Sequence, residues 1–139
     1  MSESHSTVRV RYAETDQMAV AWHGGFFAWF EVGRTDLLRQ LGMTYRELES
    51  RDVHLPVIEA QARYLKPARY DDILDVATRL LSATGVRLSF AYEVRLQANG
   101  ELLATGTTTH AAVDGRGQPR RLPGELRGLL PALAARPGL

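Results

Sequence analysis

The sequence predicts a two-layer α+β domain: one long amphipathic helix lying on an antiparallel sheet. Three observations carry this. Residues 25–41 hold a helical apolar pattern, and the chain after residue 52 turns to strand-like stretches broken by turn residues. Between two of those stretches sits Asn99-Gly100, a strong short-range hairpin signal.

The elements follow in order. Val8-Arg-Val-Arg-Tyr12 alternates apolar and charged residues, the period of a half-buried strand over 8–12. Glu14-Thr-Asp-Gln-Met18 breaks the alternation and reads as a loop. At about 100° per residue, Phe26, Phe30, Gly33, Leu37 and Leu41 share one helix face, with Phe27 and Leu38 at its flank. Gly42 stands where a helix C-cap glycine belongs. Thr44-Tyr-Arg-Glu47 has the form of a capping box and starts a short helix to about Ser50. A strand over 53–64 follows, with Pro56 marking an edge or a bulge. Further strands are expected over 73–81, 86–97 and 101–113, joined by turns at 82–85 and 99–100. A short terminal helix is expected over 123–135. Short connections make the last four strands antiparallel neighbours. One helix over five strands buries little surface, so self-association is expected, most simply as a two-fold dimer.

Composition narrows the function. A chain of 139 residues suggests a single domain spanning 1–139. The net charge of +1 argues against a nucleic-acid partner, which usually requires a strong basic excess. With no cysteine there is no disulfide, thiol nucleophile or cysteine zinc site. No apolar run reaches the roughly 20 residues of a membrane span, and the polar opening lacks the pattern of a secretory signal. A cytoplasmic protein is expected. His5, His54 and His110 show no metal-ligand spacing with each other or with His23, and Asp71-Asp72 falls in a turn, so no metal is expected. Asp114-Gly-Arg-Gly117 lacks the spacing and the following helix of a dinucleotide fingerprint.

Chemistry concentrates between the first strand and the long helix. Asp16 lies in that loop, and His23, Gly24 and Gly25 stand at the helix start. The first N–H groups of a helix lack internal partners and carry partial positive charge, so they can hold a developing oxyanion. Glycines there allow close approach to the backbone. Two readings stand on residue types alone. In one, Asp16 attacks or activates water while the helix start stabilises the oxyanion of an acyl transfer. In the other, Asp16 caps a turn and His23 merely opens a helix.

The run from Arg11-Tyr-Ala-Glu-Thr-Asp16 to His23, continued by Phe27-Ala-Trp-Phe-Glu-Val-Gly-Arg34, resembles the hotdog-fold acyl-CoA thioesterases. Their 4-hydroxybenzoyl-CoA thioesterase branch, with its YbgC-like members, is the nearest in pattern. The resemblance continues through Tyr64-Leu-Lys-Pro-Ala-Arg-Tyr-Asp-Asp72 and Arg87-Leu-Ser-Phe90. It implies a hotdog fold, a five-stranded antiparallel sheet wrapped around one long helix, with sites between paired protomers. It also implies an acyl-CoA hydrolase with Asp16 as the catalytic carboxylate and a backbone N–H at His23 as oxyanion donor. CoA would be part of the substrate, with no separate cofactor, and the assembly a homodimer or homotetramer. Ala19 stands where the family commonly has glycine, and Gly25 where it commonly has asparagine.

Glu31 and Arg34, three apart on the helix, are expected to form a structural pair; the resemblance makes Glu31 the runner-up catalytic acid, because some hotdog thioesterases carry their acid on this helix. By the resemblance, Arg87, Arg120 and Arg121 bind the phosphates of CoA, whose oxygens suit guanidinium forks, with Arg116 and Lys66 as weaker alternatives. Two alternatives stand beside the hydrolase: a non-catalytic acyl-CoA-binding hotdog protein, and an acyl-ACP hydrolase. The aromatic run Trp22, Phe26, Phe27, Trp29 and Phe30 is expected to be core.

Overall fold

A computed structural model describes residues 3–124. Its elements run β1 (Glu3–Arg9), a 3-10 turn (Tyr12–Glu14), α1 (Gly25–Gln40), α2 (Tyr45–Ser50), β2 (Val57–Tyr64), β3 (Ile73–Ala83), β4 (Arg87–Leu96) and β5 (Leu102–Ala111). The five strands form one sheet in the order β1-β3-β4-β5-β2, antiparallel at every step. The sheet wraps α1, which is the hotdog arrangement. No helix among the described residues is long and apolar enough to cross a membrane. The terminal helix expected over 123–135 lies, from residue 125 on, outside the described residues.

The local signals at α1 and α2 behave as expected. Gly42 takes φ +92, and the N–H groups of Gly42 and Met43 donate to Arg39 O and Leu38 O, closing α1 with a Schellman motif. Thr44 and Glu47 exchange side-chain and backbone hydrogen bonds in a full capping box. The Asn-Gly turn is present with Gly100 at φ +75, set in a five-residue connection between β4 and β5.

Two strand expectations are corrected. The first strand occupies Glu3–Arg9 rather than 8–12, in a polar stretch. Its buried positions are Ser4 and Ser6, because α1 lies so close that only small side chains fit: Ser4 Oγ donates to Gly33 O, and Ser6 Oγ donates to an Asp36 carboxylate oxygen. Hydrophobic alternation does not detect such a strand. The second correction concerns pairing. β2 and β3 are not a hairpin; β2 pairs with β5, and β3 sits between β1 and β4. The connection through residues 65–72 therefore carries the chain from one half of the sheet to the other.

The core lies between α1 and the inner sheet face. Phe30 stacks on Tyr92 with ring centroids 4.3 Å apart. It lies flat on the sheet because residue 106 is glycine: a Cβ there would meet the Phe30 ring at 2.4 Å. Trp29, with Phe26 and Phe30, is core as expected, whereas Trp22 and Phe27 are exposed. α1 rests over β1 and β3, where Gly33 faces Thr78.

Candidate active site

The loop from Glu14 to Trp22 is a narrow hairpin. Trp22 N–H donates to Glu14 O, Asp16 N–H to Val20 O, and Ala19 N–H to Asp16 O. Ala19 closes it at φ +64, a left-handed conformation that favours glycine. Glu14 fastens this hairpin to the fold. One carboxylate oxygen accepts from Arg11 N–H and the other from the indole N–H of Trp29 on α1. Glu14 is a residue the sequence reading overlooked, though its place two residues before Asp16 was a signal.

Asp16 is exposed at the head of the hairpin. Its Oδ1 accepts from Met18 N–H at 2.8 Å, so the turn-capping reading holds for that oxygen. Its Oδ2 has no partner among the described residues.

At the other end of the hairpin the chain enters α1, with Gly24 as N-cap. The N–H groups can be accounted for one by one. Gly25 donates to Trp22 O, Phe26 to His23 O and Phe27 to Gly24 O. His23 N–H and Gly24 N–H have no acceptor among the described residues. These two donors sit at the positive end of the α1 dipole. Beside them a cleft of about 280 Å³ opens, walled by Val20, Ala21, His23, Phe26, Tyr64 and Lys66. Asp16 does not itself line this cleft. Nothing lies within 4 Å of a Cβ at Gly25, so the chain leaves open space there.

The Glu31–Arg34 pair is corrected. Arg34 is only 8% exposed and makes no ion pair among the described residues; its Nε donates to Tyr45 Oη on α2 at 3.1 Å. Glu31 stays exposed at the rim. Both side chains line one pocket with Phe27, Val57 and Thr108, but the Arg34 guanidinium turns to the Tyr45 hydroxyl rather than to Glu31. Arg34 also lies near Tyr92, whose hydroxyl opens a buried chain through Thr108 to His110. Its direction follows from one carbonyl. Leu55 O can only accept, so His110 Nδ1 carries the proton given to it. With the ring neutral, His110 Nε2 accepts from Thr108, which in turn accepts from Tyr92. Burial lowers the pKa of His110, against the Leu55 bond that would raise it. His110 is thus a packed core residue of β5. Tyr45, Tyr92 and Thr108 carried no sequence signal of this network.

The arginines divide. Arg121 lies over Gly85 in the β3–β4 turn, two residues before Arg87, and both are exposed. Arg120 points the other way and donates to Arg51 O at the end of α2. In a single chain, Arg87 and His23 sit at opposite ends of the sheet. Tyr64, beside His23, is level with Ala104 and Val94, and Arg87 is seven residues along β4 from there, about 23 Å. Lys66 is paired with Glu101, and Arg116 is exposed in the loop after β5. Asp72 caps its turn by accepting from Arg69 N–H, and Asp71 pairs with Arg9.

The chain matches the model of the Thioesterase-like superfamily over residues 10–130. It is 37% identical over 114 residues to a protein of Bacillus subtilis (strain 168) named putative acyl-CoA thioesterase YneP, covering 82% of each chain. It is 32% identical over 117 residues to the acyl-CoA thioester hydrolase YbgC of Escherichia coli O6:H1, covering 84% of this chain and 87% of that one. Among solved structures, the DHNA-CoA thioesterase of Staphylococcus aureus superposes with a TM-score of 0.84 at 33% identity, covering 88% of this chain and 82% of that one.

Proposed function

This chain belongs to the thioesterase-like superfamily, and on that premise we propose that it hydrolyses an acyl-CoA thioester to a free acid and CoA. The observation that carries the reading is the pair of unclaimed N–H groups, His23 and Gly24, at the start of α1 beside a cleft and a short hairpin that presents Asp16. A thioester carbonyl oxygen set against His23 N–H gains stabilisation as it turns into an oxyanion. The open Oδ2 of Asp16 then has two routes. As general base it takes a proton from water while the water oxygen bonds to the carbonyl carbon. The C–S bond then breaks, and the proton goes to the departing CoA sulfur. As nucleophile it bonds to that carbon itself, CoA leaves, and water cleaves the resulting anhydride. A single turnover in isotopically labelled water separates them, since only the anhydride route carries solvent label into Asp16. CoA is the substrate's own carrier, and neither route uses a further cofactor.

The site reaches completion in a homodimer on this reading. β2 is an edge strand exposed along nearly its whole length, with Val57 and Ile58 45% and 48% exposed. Exposed apolar edges of this kind pair with another strand. Antiparallel pairing of two β2 strands about a two-fold axis carries the arginine end of one copy to the His23 end of the other. That supports Arg87 and Arg121 as ligands for CoA phosphates across the interface. Arg120 would first have to release Arg51 O.

The test is thiol release from a panel of acyl-CoA esters, run on wild type and Asp16→Asn. The variant is expected to lose at least about 100-fold in turnover while keeping its affinity for CoA. A variant that turns over at the wild-type rate refutes the role of Asp16. Wild type that binds acyl-CoA without releasing thiol replaces the hydrolase with a binding protein, and faster release from acyl-ACP changes the carrier.

A further inference from the structure

One contact at the cleft has no task in this scheme. Tyr64, the last residue of β2, donates its hydroxyl to His23 O at 2.7 Å, joining residues 41 apart in sequence. Its ring meets His23 and Phe26 edge-on, at centroid distances of 6.1 and 5.2 Å. His23 O is one end of the peptide unit whose other end is Gly24 N–H, an unclaimed donor. The same peptide is gripped from a second side. The Trp22 indole folds over Gly24 so closely that a Cβ there would meet ring carbons at 2.4 and 2.5 Å. Gly24 has an ordinary helical φ of −66, so what glycine offers here is room under the indole and not backbone freedom.

The donor and acceptor of one amide are coupled. A hydrogen bond accepted at the oxygen polarises the group and strengthens its N–H as a donor. A peptide already fixed also needs no reorganisation as charge develops. Elsewhere in the first turn of α1 the N–H groups are committed to backbone carbonyls. We propose that Tyr64 is a positioning residue for thioester hydrolysis: its bond to His23 O orients and polarises the His23–Gly24 peptide, so that Gly24 N–H joins His23 N–H as a second oxyanion donor. This rests on the hydrolase reading above. Desolvation raises the Tyr64 phenol above its usual range, so the hydroxyl keeps the proton it donates through neutral and mildly alkaline pH.

Tyr64→Phe removes the hydroxyl and keeps the ring. With an acyl-CoA that wild type hydrolyses, kcat is expected to fall about tenfold with KM within about twofold, because the lost stabilisation belongs to the transition state. The Gly24 amide proton should move upfield in the NMR spectrum of the variant. Tyr70→Phe, an exposed hydroxyl outside the site, serves as control and should keep the wild-type rate. Unchanged kcat in Tyr64→Phe, or a change confined to KM, overturns the proposal while a dead Asp16→Asn leaves the hydrolase reading standing. Wild type without hydrolysis overturns both. Should Tyr64→Phe fail to fold, wild type decides alone. A ketone analogue, with methylene in place of the thioester sulfur, must shift the Gly24 amide on binding, and a stationary Gly24 resonance overturns the proposal.

Discussion

Gly33→Ala should destabilise the protein although it places a better helix former in the middle of α1. The reason is distance. A Cβ at residue 33 would stand 2.1 Å from Thr78 Oγ1 and 3.1 Å from Val76 Cγ1 on β3. Reaching even the 3.0 Å floor of real Cβ contacts requires α1 and β3 to part by about 0.9 Å. Thr78 cannot easily turn away, because a β-branched side chain is stiff at χ1. Overpacking costs about 1–3 kcal/mol, and an approach as close as 2.1 Å stands in the upper part of that range, about 2–3 kcal/mol, of which helix propensity returns about 1 kcal/mol. The net loss of about 1–2 kcal/mol corresponds to roughly 3–6 °C in Tm at this chain length. A double-mutant cycle isolates the cause. Thr78 Oγ1 is buried with no hydrogen-bond partner, so Thr78→Ala sheds both the clashing atom and an orphaned hydroxyl. In that background Gly33→Ala should cost little, giving a coupling of at least about 1 kcal/mol by urea unfolding. Gly33→Ala as stable as wild type, or a coupling below about 0.3 kcal/mol, refutes the close packing of α1 on β3.

Ala19 sits at φ +64, which costs a non-glycine residue about 1–2 kcal/mol, so Ala19→Gly should raise the unfolding free energy, and with it the urea midpoint, by up to about 1 kcal/mol after the entropy of the unfolded glycine is set against it. A lower midpoint contradicts the left-handed turn. His110 is held neutral by burial, and its folded pKa lies below that of an unfolded histidine, near 6.5. Its contribution to stability is therefore complete above pH 6.5 and lost as pH falls through that value toward the folded pKa, because the unfolded chain then binds a proton that the native ring refuses. Unfolding measured between pH 5 and 7.5 should show this decline, and its persistence in His110→Gln would assign it to another group.

What could be read along the chain follows the range of the forces involved. The Gly42 cap, the Thr44–Glu47 box and the Asn99-Gly100 turn each depend on residues within about four positions, so composition at those positions reveals them. β1 was hidden for the opposite reason. Its inner face is built from serines, and their burial is dictated by Gly33 on a helix nearly 30 residues away. The expected partner of Arg34 was the nearby Glu31; the observed one, Tyr45, comes from another helix.

The sequence by itself determined an α+β domain with one aromatic-faced helix, the ends of that helix, and a carboxylate-bearing loop leading to its N-terminus. Backbone preferences, capping and periodicity act locally and leave a local trace. Only the tertiary structure decided that β2 pairs with β5, that Arg87 lies at the far end of the sheet from His23, and that Tyr64 grips the peptide behind the cleft. Strand order is settled by which antiparallel arrangement buries the most apolar surface under α1. That is a sum over contacts between distant residues, and no short stretch of the chain carries it.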